Sequence, residues 1–110
     1  MKKRIGSRIY DDSKARLITT KRAGSGFRWI EERLYVKRTG EYFIFGQGGP
    51  ASWYAHECAD GSSVSGCGIV LLGRDYVDSW LNWGGDLEDY PLPKCFIPCG
   101  FAGCGLDAED

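Results

Sequence analysis

Residues 27–45 constrain the fold more than any other stretch of this chain. Phe27–Val36 is rich in aromatic and β-branched residues, Lys37-Arg38-Thr39-Gly40 is a short polar break, and Glu41–Phe45 is rich in such residues again after Glu41. Strands favour flanks of this composition. Gly40 stands where a short hairpin loop needs a positive φ. The segment therefore predicts an antiparallel hairpin. On its returning strand Phe43 and Phe45 share one face and Tyr42 and Ile44 the other, because side chains alternate along a strand. Apolar groups on both faces predict an inner strand, covered at least in part on both sides.

The remaining elements are read around that hairpin. Arg4–Tyr10 reads as a short strand, followed by a turn at Asp11-Asp12-Ser13, whose short polar side chains can bond the local backbone. Ala15–Lys21 reads as a second strand, and Ala23-Gly24-Ser25-Gly26 as a flexible break. Gly46-Gln47-Gly48-Gly49-Pro50 should end the hairpin and lead into one helical turn over Ala51–Ala55. Asp60–Ser65 is a polar loop and Gly68–Leu72 a buried strand. Arg74–Trp83 has helical spacing, with Tyr76, Val77, Trp80 and Leu81 on one side and Gly84-Gly85 as the stop. Trp80 and Leu81 are expected to cover the sheet. Beyond Asp86 the chain is acidic and then rich in Pro, Gly and Cys, and no regular element is expected there.

These elements predict an α+β fold: an antiparallel sheet of four to five strands, one helix packed on a face, and an irregular C-terminal tail. A length of 110 residues suits one domain with one modest core. We read residues 1–85 as the sheet-and-helix core and 86–110 as the tail.

The net charge of −1 hides a sharp division. Residues 1–38 hold twelve Lys and Arg against four carboxylates, and residues 39–110 hold two against eleven. Asymmetry of this kind points to a charged partner, unless the two halves neutralise each other in the fold. No apolar stretch follows the basic start, and the longest aliphatic run, Ile69–Leu72, is far short of a membrane span. Five cysteines cannot all pair within one chain. A cytoplasmic protein with reduced thiols, and no membrane partner, is the expectation.

Three segments carry a resemblance. They are Arg8-Ile9-Tyr10-Asp11-Asp12 with Ala15 and Ile18; Glu32-Arg33-Leu34-Tyr35, then Thr39-Gly40-Glu41-Tyr42-Phe43, Gly46–Pro50 and Tyr54; and Ile69–Leu72 before a helix bearing Trp80. Together they resemble a family of small bacterial proteins carried on phages and other mobile elements. The resemblance covers about residues 8–83. Gln47 stands where that family has an acid, and the cysteine-rich tail has no counterpart in it. The resemblance transfers no catalytic residue. It implies a mobile-element setting, in which small proteins bind host machinery, including defence nucleases.

Two charged sets are candidate binding surfaces. Arg16, Lys21, Arg22, Arg28, Arg33, Lys37 and Arg38 fall on adjacent expected strands and turns, with Trp29 and Tyr35 between them. Cations neutralise phosphates, rings stack on unpaired bases, and a two-stranded ribbon fits a major groove. The plainer reading is a solvated sheet face. Asp75, Asp78, Asp86, Glu88 and Asp89, with Asp107, Glu109 and Asp110 beyond them, form the acidic set. Spaced carboxylates can imitate phosphates to a basic groove, which suits an inhibitor of a nuclease complex of the CRISPR type.

Two chemical readings carry less weight. Cys95, Cys99 and Cys104, with Cys58, Cys67 and His56, supply zinc-ligand types, but paired C-x2-C knuckles are absent. His56 and Cys58 would share a strand face, yet nothing in the sequence marks a cleft or an oxyanion hole beside them. The expectation is a non-enzymatic binding protein with no cofactor, bound to a host protein complex. Nucleic-acid binding through the basic hairpins is the rival reading and a zinc-stabilised module the third.

Overall fold

The computed structural model describes residues 2–5, 8–11, 13–93 and 96–98. Nine strands and one α-helix follow one another in these segments. Strands β1 (Lys2–Ile5) and β2 (Arg8–Asp11) pair antiparallel as a separate ribbon, so the single strand expected over Arg4–Tyr10 is two. Strand β3 (Arg16–Ala23) leads through a 3₁₀ turn, Gly26–Arg28, into β4 (Ile30–Val36) and β5 (Tyr42–Gly48). The expected hairpin is present, with Lys37–Gly40 as its turn and Gly40 at φ 92°. Its first strand starts at Ile30 and not at Phe27, and its second runs on through Gly46 to Gly48.

A small ribbon follows, β6 (His56–Glu57) with β7 (Ser63–Val64), inside the stretch read as a polar loop. Residues 51–55 form turns and no helical element. Strand β8 (Gly66–Leu72) precedes helix α1 (Arg74–Asn82), and a 3₁₀ turn at Leu87–Asp89 precedes β9 (Ile97–Pro98). The main sheet is antiparallel, in the order β3-β4-β5-β8-β9. β5 lies at its centre, as its two-faced apolar pattern requires. The acidic and Pro-rich stretch is no mere tail: β9 is the fifth strand, and Leu87, Tyr90, Leu92 and Phe96 join the core.

Alternation along β4 and β5 builds two apolar layers. On the helix side Ile30, Leu34, Ile44 and Val70 pack with Val77 and Trp80 of α1. On the other side Tyr35, Phe43 and Ile69 pack with Tyr10 of β2. The Tyr35 ring stacks on Phe43 at 5.2 Å, and the Tyr10 ring meets Phe43 edge-on at 5.3 Å. Each buried side chain of this size contributes roughly 1.5–3 kcal/mol by leaving water. Helix α1 uses Val77 and Trp80 for this contact; Tyr76 and Leu81 remain exposed, contrary to the expectation for Leu81. At 100° per residue Trp80 and Val77 lie side by side on the helix, and Tyr76 and Leu81 flank them at the two edges of that stripe.

Paired glycines let this layer come close to the sheet. Gly46 faces Gly68, and Gly48 faces Gly66, on the helix side. A Cβ at Gly46 would collide with the Tyr54 hydroxyl, and one at Gly68 with the Phe96 ring. Tyr54 thereby reaches Glu32, which has no exposed surface. The Glu32 carboxyl accepts hydrogen bonds from the Tyr54 hydroxyl (2.6 Å), the Tyr90 hydroxyl (2.6 Å) and Trp80 Nε1 (2.8 Å). Buried polar groups persist where they are satisfied in this way. The knot ties β4, α1 and the segment after α1 together.

A candidate anion-binding cleft

Two tight turns meet at one end of the sheet. Lys14 N–H donates to the Asp11 carbonyl (3.1 Å), closing the turn between β2 and β3. Gly40 N–H donates to the Lys37 carbonyl (2.8 Å), closing the turn between β4 and β5. Arg16 pairs with Val36, so the start of β3 lies beside the second turn. Between the turns is a cleft of about 620 Å³, lined by Ile9, Asp11, Lys14, Ala15, Lys37, Arg38 and Thr39. Among the described residues its lining holds three cations and one carboxylate.

The carboxylate is committed to its own turn. Asp11 Oδ1 accepts from Ser13 Oγ (2.7 Å) and Ser13 N–H (3.0 Å), and those bonds hold its carboxyl below the usual carboxylate range. Lys37 is fixed in place: its ammonium bonds Glu41 Oε1 (2.8 Å) and lies 4.3 Å from the Tyr10 ring centroid. Lys14 and Arg38 are exposed, and neither has an ion pair among the described residues. A dianionic or polyanionic ligand entering here would meet Lys14 and Arg38, neither ion-paired among the described residues, and the pre-positioned Lys37.

The structure divides the expected basic set. Arg16, Lys37 and Arg38 gather at the hairpin end. Lys21 turns inward: its ammonium donates to the carbonyls of Trp80 (2.8 Å), Leu81 (2.8 Å) and Trp83 (2.6 Å) and lies over the Trp80 ring. Burial lowers its pKa. Arg22 (2.6 Å) and Arg33 (3.4 Å) both pair with Glu31, whose other partner is Gln47 Nε2 (2.7 Å). Arg28 stands at the far end of the sheet, lining a cleft with Asp86 and Glu88. β4 has seven residues, so the two ends lie roughly 20 Å apart.

The interleaved aromatics do not serve as a stacking platform. Tyr35 is buried in the core, and the Trp29 ring covers Gly49, which has no room for a Cβ beside it. Asp75, Asp78, Asp86, Glu88 and Asp89 are all exposed, and none is in an ion pair among the described residues. Asp86 caps the 3₁₀ turn by accepting from Glu88 N–H (3.0 Å). Lys14 belongs to the cleft although the sequence did not single it out. The signal was its place just after the Asp11–Ser13 turn, which aims it toward whatever neighbours that turn.

The cysteines depart from expectation. Cys58 and Cys67 are disulfide-bonded, so neither offers a thiolate. That removes the nucleophile from the His56–Cys58 pair and two ligands from the zinc set. It also removes the reduced-thiol argument for a cytoplasmic setting. Cys95, Cys99 and Cys104 lie outside the described residues. Among the described residues no group of three or more His, Cys, Asp or Glu could hold a metal, and no helix is long and apolar enough to cross a membrane. Comparison with protein-family models, with curated proteins and with solved structures finds no match for this chain.

Proposed function

We propose that this chain is a non-catalytic nucleic-acid-binding protein that grips the phosphate backbone at the hairpin end of its sheet. The observation that carries the reading is the cleft in which Lys14 and Arg38, neither in an ion pair among the described residues, stand beside Lys37, held by Glu41, and Asp11, engaged by Ser13. Arg16 stands at the same end of the sheet but shares the face of Val36 and does not line the cleft. Cations arranged on two rigid turns neutralise phosphates and release counterions. With Tyr35 and Trp29 turned to internal contacts, the cleft favours backbone over base stacking, and a duplex over a single strand. The resemblance to mobile-element proteins would make the role accessory or regulatory. Such a partner would place the chain inside a cell, where the disulfides at Cys58 and Cys67 must hold against a reducing poise.

Anisotropy of a labelled random duplex tests this. The double variant Lys14→Ala/Arg38→Ala should bind about tenfold more weakly or worse than the parent at low salt, with its fold intact by circular dichroism. Equal affinity in the folded variant would remove the reading.

A second reading rests on the acidic set. Five exposed carboxylates, none in an ion pair among the described residues, would suit an inhibitor that occupies a basic channel of a host nuclease complex. It requires Asp86→Asn/Glu88→Gln/Asp89→Asn to abolish suppression of the nuclease. Recovery of only nucleic acid and ribosomal proteins from a host lysate would dismiss it.

A further inference from the structure

Phe27 is the most exposed large apolar side chain among the described residues, at 74%. The other described phenylalanines, Phe43, Phe45 and Phe96, belong to the core or pack against it. Chain mobility does not account for the exposure, because the backbone around Phe27 is held. Gly24 and Gly26 take positive φ of 79° and 62° to form the loop. A Cβ at Gly24 would lie 2.7 Å from the Arg28 carbonyl oxygen, so that position excludes other residues twice over. Arg28 N–H donates to Ser25 O (3.1 Å), Ala51 N–H to Phe27 O (2.8 Å) and Gly49 N–H to Trp29 O (2.9 Å). The loop therefore displays a benzyl group on a rigid base, the usual form of an interface anchor.

The surroundings of the loop are acidic. Arg28 shares one cleft with Asp86 and Glu88 and another with Glu88, and Asp89 follows. An apolar plug beside three carboxylates and one cation asks for an apolar socket with a basic rim. One such socket is on the molecule itself, at the opposite end of the sheet. The hairpin-end cleft has Ile9 and Ala15 on its apolar part and Lys14, Lys37 and Arg38 around them. Ile9 is 39% exposed there and supplies the apolar floor between those cations.

We infer that the Phe27 loop of one copy docks in the hairpin-end cleft of a second copy. Plug and socket are different surfaces at opposite ends, so the contact is heterologous and joins copies head to tail. Charge complementarity favours this occupant: Asp86 and Glu88 of one copy would meet Lys14 and Arg38 of the next. The inference does not rest on the nucleic-acid reading, although both use the same cleft and a bound duplex would compete with the second copy.

The test is sedimentation of nuclease-treated protein over a concentration series. The parent should show a mass that rises with concentration and falls with added salt. Phe27→Ala loses the plug and Arg38→Glu loses the socket rim, and each alone should sediment as a monomer. An equimolar mixture of the two should form a heterodimer, since one contributes an intact socket and the other an intact plug. That recovery cannot come from misfolded variants. Phe27→Ala should bind duplex at least as tightly as the parent, which separates this inference from the proposed function. A parent that stays monomeric throughout, association that survives Phe27→Ala, or variants that fail to complement each other would overturn it.

Discussion

Glu32 illustrates how one side chain organises its surroundings. It projects from β4 into the helix layer, where Gly46 leaves room for the Tyr54 hydroxyl to reach it. Tyr90 and Trp80 complete its partners. Burial, and then the neighbouring Glu32 carboxyl, push the Tyr54 and Tyr90 phenols well above their ordinary value of 10.0. The consequence for stability has a definite sign. Below pH 10 both phenols are neutral whether the chain is folded or not, and their contribution is complete. Above it the unfolded chain ionises while the fold holds the neutral form, so stability falls as pH rises. The slope should be about 1.4 kcal/mol per pH unit for each phenol. Urea unfolding at pH 9, 10 and 11 measures it, and Tyr54→Phe should remove about half. A slope unchanged in that variant would mean Tyr54 ionises in the fold as it does outside.

At the level of elements, helix α1 shows what patterning can and cannot convey. Its position, its length to within a residue and the burial of Trp80 were readable from apolar spacing. The group that ends it was not. Lys21, fifty-nine positions before Trp80, supplies an ammonium to three carbonyls at the helix C-terminus. The carbonyl ends of helices attract cations. In sequence Lys21 looked like one more cation on a basic strand, because its register opposite Glu32 on the helix side is set by the bulge between Leu17 and Thr19. Lys21→Met should therefore cost about 1–2 kcal/mol of stability, seen as a lower urea midpoint, and leave duplex affinity unchanged. Reduced affinity at unchanged stability would return Lys21 to the binding surface. β9 was hidden for a related reason: a two-residue strand beside prolines has no period to detect, and only the free edge of β8 gives it a partner.

Across the whole molecule, the charge division of the sequence becomes a division of labour. Lys21 is drawn onto helix carbonyls, while Arg22 and Arg33 pair with Glu31 from the surface. Arg16, Lys37, Arg38 and Lys14 assemble at one end, while Asp86, Glu88 and Asp89 stay together near the other. Composition could reveal the imbalance between halves of the chain, but pairing depends on register and on which face each strand turns inward. The disulfides at Cys58 and Cys67 were equally out of reach, since an odd cysteine count does not say which thiols meet. The central claim is that the hairpin-end cations meet phosphates. The dependence of duplex affinity on salt tests it most directly. Three lining cations predict log K falling against log salt with a slope of about −3, reduced by about two in Lys14→Ala/Arg38→Ala. A slope near zero, or one that the double substitution leaves unchanged, would contradict the claim.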